Sequence, residues 1–204
     1  MLPLDLNLIW GGVSISFWST FLTPIMALQL PGKSDQDQLS YALYGMTAFG
    51  FGEVIGGFFH GLIIDKIGAK RTVFVNIFIL LLVLAATEAT LYINDYNWVT
   101  FLACFMWGYE DGMTNIFLFQ ILGNEFEHGG DPFGVFNIIQ GLSVFGLDLT
   151  AGKWIDITDK TELMWYAGGV VGFGIIANAV SYTFDFKKEK KKLLTDDGMK
   201  QFIH

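Results

Sequence analysis

A chain of 204 residues that is 52% hydrophobic and only 16% charged, with a mean hydropathy of +0.47, does not have the make-up of a soluble globular domain. Its formal net charge is −8, with Lys187, Lys188, Lys190, Lys191 and Lys192 gathered near the carboxyl end, and this points away from nucleic acid as a partner. The single cysteine, Cys104, leaves no intrachain disulfide and no cysteine-based metal site. The 20 phenylalanines and 24 glycines suit lipid-facing aromatic surface combined with close helix contacts.

Crossing a hydrocarbon core of ~30 Å takes about 20 mostly apolar residues in helical form. About six such runs are predicted. The first covers residues 8–28 and ends at Gln29-Leu30-Pro31-Gly32. The second, 40–64, is glycine-rich and closes on Asp65-Lys66-Ile67-Gly68-Ala69-Lys70-Arg71. The third, 72–93, is the most apolar and turns at Asn94-Asp95-Tyr96-Asn97. The fourth covers 98–122 and precedes the acidic loop Asn124–Pro132. The fifth covers 133–152. After a polar stretch holding Asp156, Asp159 and Lys160, the sixth covers 163–184.

The chain thus reads as an all-α polytopic membrane domain over residues 1–186, followed by a lysine-rich tail over 187–204. Continuous apolar runs exclude a β-barrel, whose strands are short and alternating. No cationic segment precedes the first run, and no cleavable signal is expected. Six spans put both termini on one side. Lys66, Lys70, Arg71 and the tail lysines share that side, which is therefore expected to be the cytoplasmic face or its organellar equivalent. The tail cluster reads as a topology determinant, a contact with anionic headgroups or a solvated end.

The most specific motif is Gly61-Leu-Ile-Ile-Asp65-Lys-Ile-Gly68-Ala-Lys70-Arg71, between the second and third runs. Gly61 permits two helices to approach, and Gly68 permits a tight turn. Asp65 is placed to accept hydrogen bonds at a helix amino terminus or to pair with Arg71. This segment resembles the signature loop of the major facilitator superfamily, G-x-x-x-D-x-x-G-x-K/R-K/R, at every specified position. The resemblance implies that the chain is one six-helix half of that fold. An amino-terminal half would be expected to carry an arginine in its fourth helix and a Gly-Pro in its fifth, and neither is present. Gly108, Asp111, Thr114 and Gln120 resemble instead the tenth helix of the Unc-93-like branch, which implies the carboxyl-terminal half. The match departs from that branch at Gly112, where alanine is usual, and in its Thr-Gln spacing.

Glycines four apart recur at Gly52 and Gly56, Gly57 and Gly61, Gly108 and Gly112, and Gly168 and Gly172. Helix crossings are the expected use of such pairs, with a hinge as the alternative. Ionisable side chains within spans cost about 2.5–3.5 kcal/mol each on insertion scales. Glu53, His60, Glu110, Asp111 and Asp148 should therefore face protein or water. Glu53 and His60, seven residues apart, fall on one helical stripe. That stripe reads either as a proton or cation route or as a polar seam against Asn115 or Gln140.

Glu125, Glu127, His128 and Asp131 bring carboxylates beside an imidazole, but with no closed metal spacing, so a solvated loop is expected. No nucleophile triad, phosphate-cradling loop or catalytic carboxylate pair is evident, so neither an enzyme nor a bound cofactor is expected. Two functional readings remain open. One is an accessory or structural membrane subunit with a half-transporter fold inside a larger complex, for which an organellar inner membrane such as that of mitochondria is a compatible setting. The other is a half-transporter that pairs with a second half to move a small polar solute or ion.

Overall fold

The computed structural model describes residues 2–126, 130–184 and 186, and among them every regular element is helical. The elements are α1 (Leu2–Phe17), a π-helical turn (Trp18–Leu22), α2 (Thr23–Leu28), α3 (Asp35–Ile67), α4 (Ala69–Ile93), α5 (Trp98–Glu125), α6 (Gly130–Trp154) and α7 (Lys160–Ser181). The first span runs unbroken through α1, the π turn and α2. Pro24, which has no amide N–H and a ring that clashes with the carbonyl four residues back, lies just beyond that turn. The widened turn, which contains Thr20, accommodates it.

Local sequence sets the other boundaries. Ser34 caps α3 by accepting from the Asp37 amide at 3.2 Å, with Asp35 and Asp37 in the first turn where the helix dipole favours acids. Gly68 separates α3 from α4 at φ 84°, ψ 159°, a conformation that a side chain would strain. Asn94 ends α4 in the left-handed region, and Asn97 with Thr100 forms a capping box that opens α5. In the same turn Tyr96 donates to the Tyr41 carbonyl at 2.6 Å, and burial holds its phenol up to about 12. Asp159 caps α7 through the amides of Thr161 and Glu162.

Five helical stretches are long and apolar enough to cross a membrane: Pro3–Leu28, Asp35–Ile67, Ala69–Ile93, Gly130–Trp154 and Lys160–Ser181. An integral membrane protein is built from such segments. α5, the fourth of the expected spans, is not among them. It carries Glu110, Asp111, Asn115 and Gln120, and it is the helix that the others enclose. Fifteen of its residues are buried, against two in α6. A helix walled in by protein has no need of a hydrocarbon-compatible surface. The observed helices also extend beyond the expected runs, most clearly α3 with 33 residues, about 50 Å at 1.5 Å per residue. The lysine-rich tail and residues 127–129 of the acidic loop lie outside the described residues.

α1, α7, α4 and α5 pack in a closed cycle, each against the next. α3 flanks α5 on one side and α6 flanks α1 on the other, which leaves both largely exposed. Numbering the spans one to six, the principal pairs are two with four, one with five, three with four, one with six, and three with six. Exchanging the first three spans for the last three leaves that set unchanged. The central core stacks Phe17 on Trp107 at 4.6 Å between ring centroids, with Tyr166, Phe21, Met26, Leu80, Leu163 and Val171 around them. The Trp107 indole donates to Thr87 at 2.9 Å, so its polar atom is not stranded.

The closest crossing is that of α3 with α5. Gly52 and Gly56 lie directly on the backbone of Phe105 and Tyr109, while Gly108 and Gly112 lie on that of Phe49 and Glu53. A methyl group at Gly108 would meet the Phe49 carbonyl carbon at 2.7 Å, and one at Gly112 would meet the Gly57 nitrogen at 2.8 Å. The other two expected pairs are not close crossings. Gly57 and Gly61 make only ordinary contact distances to Ile116, and Gly168 and Gly172 have nothing within 4 Å. One crossing came without a paired-glycine signal: Gly12 of α1 lies against the Gln140 carbonyl and Ser143 of α6. Gly108→Val is expected to destabilise the fold by about 1–3 kcal/mol or more, as overpacking does, whereas Gly168→Ala should be neutral. Denaturant titration of the two variants in lipid bicelles checks this.

Candidate functional site

The first span supplies five of the seven side-chain donors of a polar layer that runs from buried to part-buried. Trp10 and Ser14, one turn apart on α1, reach Glu110 of α5. The indole donates to Oε1 at 2.9 Å and the hydroxyl donates to Oε2. Thr114, one turn further along α5, donates to Oε1 at 2.7 Å. Glu110 is completely buried and takes three donors, none of them a formal cation. Asp111, the next residue, points elsewhere because successive helical positions diverge by about 100°. It accepts from Trp18 at 3.3 Å and Asn115 at 3.1 Å, and it has Glu53 of α3 within electrostatic reach.

On the other flank, Asp148 of α6 accepts from Ser16 and, at 3.0 Å, from Thr20. Trp18 and Thr20 belong to the π turn. That turn therefore lies between Asp111 on α5 and Asp148 on α6 and supplies one donor to each. Three carboxylates from two helices are thus tied to one span through indole and hydroxyl groups, an arrangement that can hold a carboxylate charged or protonated without a fixed counter-ion.

The expected stripe of Glu53 and His60 does not form one route. Buried positions on α3 run Phe49, Gly52, Gly56, His60 and Ile64, following the crossing with α5, and Glu53 lies one position off that line and is exposed. His60 is completely buried, edge-on to Phe117 at 6.5 Å and beside Asn76 of α4. Neither Asn115 nor Gln140 is its partner. Asn115 serves Asp111, and Gln140 is half-buried against Gly11 and Gly12 of α1.

In the loop segment, Asp65 takes neither of its expected partners. Its Oδ1 accepts from the Gln120 amide of α5 at 2.8 Å, so it ties the end of α3 to α5 and not to Arg71 or the α4 amino terminus. Gly68 makes the turn as expected, its N–H donating to Ile64 at 2.8 Å. Lys70 lies over the Tyr182 ring, 4.8 Å from its centroid, and Arg71 is exposed on the first turn of α4. Gly61 is not pressed against a neighbouring backbone. Of the acidic loop, Glu125 ends α5 and Asp131 begins α6, while Glu127 and His128 fall outside the described residues.

Sequence reasoning missed Trp10, Ser16, Trp18 and Thr20 as members of the layer. The usable signal was the set of polar and indole-bearing residues at two- to four-residue spacing from Trp10 to Thr20 in an otherwise apolar run. Comparison with protein-family models, curated proteins and solved structures finds no match. Glu110→Leu leaves three buried donors unpaired at about 1–3 kcal/mol each, so a loss of several kcal/mol is expected. Glu110→Gln keeps an acceptor for Trp10 and Thr114 and should cost about 1 kcal/mol. Unfolding titrations of the full chain in bicelles distinguish the two.

Proposed function

We propose that this chain is one six-helix half of a major-facilitator-type fold serving as a non-catalytic accessory or structural membrane subunit, docked to other transmembrane helices through the exposed faces of α3 and α6. The exchange-symmetric packing pairs support the fold assignment, since two three-helix repeats of inverted topology make up each half of such transporters. The Gly61–Arg71 segment supports it independently, with its turn made at Gly68.

The observation that carries the docking role is Glu53. It is exposed on α3 amid Phe51, Val54, Ile55 and Phe58, all of them exposed as well. On the other flank, α6 leaves Ile138, Leu142, Phe145 and Leu149 open beside the Asp148 site. A surface with this composition fits helix contacts, but a carboxylate within it in lipid costs about 2.5–3.5 kcal/mol. Contact with other protein removes that cost. The lysine-rich end and the loop cations would share the inner side of the membrane.

A second reading has its own support. The π turn between the Asp111 and Asp148 sites is a local irregularity of the kind that recurs at functional positions, and it would suit a half-transporter that meets a second half around a solute pocket. Cys104 is buried, so new cysteines at Val54 and Leu142 can be probed against a quiet background. Cross-linking these variants in the native membrane, followed by mass measurement of the assembly, is expected to join both positions to different chains. Cross-links between copies of this chain, or to a second six-helix half around a hydrated mid-membrane pocket, would replace the subunit reading with the transporter one.

A further inference from the structure

The side of the bundle formed by α4 and α7 is built differently from the α3 and α6 flanks. Exposed positions on α4 follow one stripe at helical spacing: Arg71, Phe74, Phe78, Leu81, Ala85 and Tyr92. α7, which packs against α4, exposes Trp165, Gly169, Ile176 and Ala179 on a stripe of its own. Between the ends of these stripes no ionisable side chain is exposed, and Glu88, one turn below Tyr92, is half-buried. On α3, by contrast, Glu53 is exposed among apolar neighbours.

The two helices run antiparallel and are tied at one end. Asn76 donates to Asn178 at 2.8 Å, and Lys70 lies over the Tyr182 ring. Arg71 and Tyr182 therefore mark one level, and Tyr92 and Trp165 mark the opposite end. From Arg71 to Tyr92 is about 31 Å of helix, and from Tyr182 to Trp165 about 26 Å. The hydrocarbon core of a bilayer is ~30 Å thick, and the headgroup regions bring the total to about 40–45 Å. The difference between the two helices is thus within the depth of one headgroup region.

The chemistry is sorted along the same axis. Phe74, Phe78, Leu81 and Ile176 occupy the middle, the cations Lys70 and Arg71 occupy one end, and a phenol and an indole occupy the other. Tyr92 and Trp165 are 82% and 79% exposed, more than any other large apolar side chain among the described residues. Rings with an apolar body and a polar tip are favoured where hydrocarbon meets headgroups. Gly168 and Gly172, half-buried on α7, have a spacing that also suits a second helix, so lipid and protein are the two competing occupants.

We propose that the α4–α7 side faces lipid directly, with the Tyr92 phenol and the Trp165 indole in one headgroup region and Lys70, Arg71 and Tyr182 in the other. An uncharged surface as tall as the hydrocarbon core, bounded at both ends by side chains suited to the interface, fits acyl chains without a partner protein. This surface is independent of the docking flanks on α3 and α6.

The test uses the full chain in its native membrane, with Phe78→Cys and Ile176→Cys each carrying a benzophenone photoprobe. Cys104 is buried and adds no background. Irradiation is expected to join the chain to phospholipid, read as a mass gain of the intact chain, with no product containing a second polypeptide. Nitroxide labels on Arg71→Cys, Leu81→Cys and Tyr92→Cys in phosphatidylcholine vesicles then report depth. Dissolved oxygen should relax the label at position 81 most, and a water-soluble nickel chelate should reach those at 71 and 92. All five positions are exposed, so the substitutions leave the core intact. A photoproduct with another polypeptide or a second copy of this chain at either probe overturns the proposal, as does nickel access at position 81 or its loss at position 92.

Discussion

Everything else in this bundle depends on how closely α3 and α5 can approach. Helices in lipid gain little from hiding apolar side chains from one another, because the tails around them are equally apolar, so association rests on van der Waals contact and on hydrogen bonds between helices. Gly52, Gly56, Gly108 and Gly112 put backbone on backbone and supply the first of these. With α3 set that close, and with α4 and the first span on its other sides, α5 is enclosed. Enclosure in turn permits α5 to be the least hydrocarbon-like of the long helices and to carry two adjacent carboxylates.

The second means of association, hydrogen bonding, is concentrated on the opposite contact. Five side chains of the first span serve as donors to Glu110, Asp111 and Asp148. The interaction is directional, and it fixes the rotation of that span about its own axis in a way that leucine and phenylalanine packing would not. The Gly12 contact with Gln140 and Ser143 sets the distance to α6. The two flanking helices are thus held differently, α3 by a pair of glycine pairs and α6 by one glycine and one acid.

Length and hydropathy were enough to read five of the spans from the sequence, and caps such as Ser34, Asn97 and Asp159 lie where polar residues interrupt the apolar runs. The rotation of each helix was not legible. Glu110 and Asp111 are neighbours in sequence, carry the same chemistry and are both buried, yet one meets Trp10 and Ser14 of α1 and the other meets Trp18 of the π turn, and only the direction from which the first span approaches decides which. Glu53 and His60 share a stripe on a straight helix, but the buried positions of α3 step through Gly52, Gly56 and His60, and the Glu53 side chain falls outside them although its backbone lies against α5. Of the four glycine pairs, the two that cross closely face one another on adjacent helices, a relation that spacing within a single helix cannot reveal. The partner of Asp65 was hidden for a similar reason, since Gln120 is 55 residues away and on a helix not joined to that loop.

The π turn at Trp18–Leu22 has a consequence for register. A turn closed by i→i+5 bonds holds one residue more than the α turn it replaces, so it acts as a one-residue insertion that the helix has absorbed. Upstream of it, Trp10, Ser14 and Phe17 are phased to α5 and α7. Downstream, Met26 is phased to Gly45 and Cys104. Losing a single residue here would give a more regular helix and at the same time rotate one end by about 100° relative to the other. The polar layer and the Met26 contact could no longer be made together, so in this span chain length itself is part of the specification of the site.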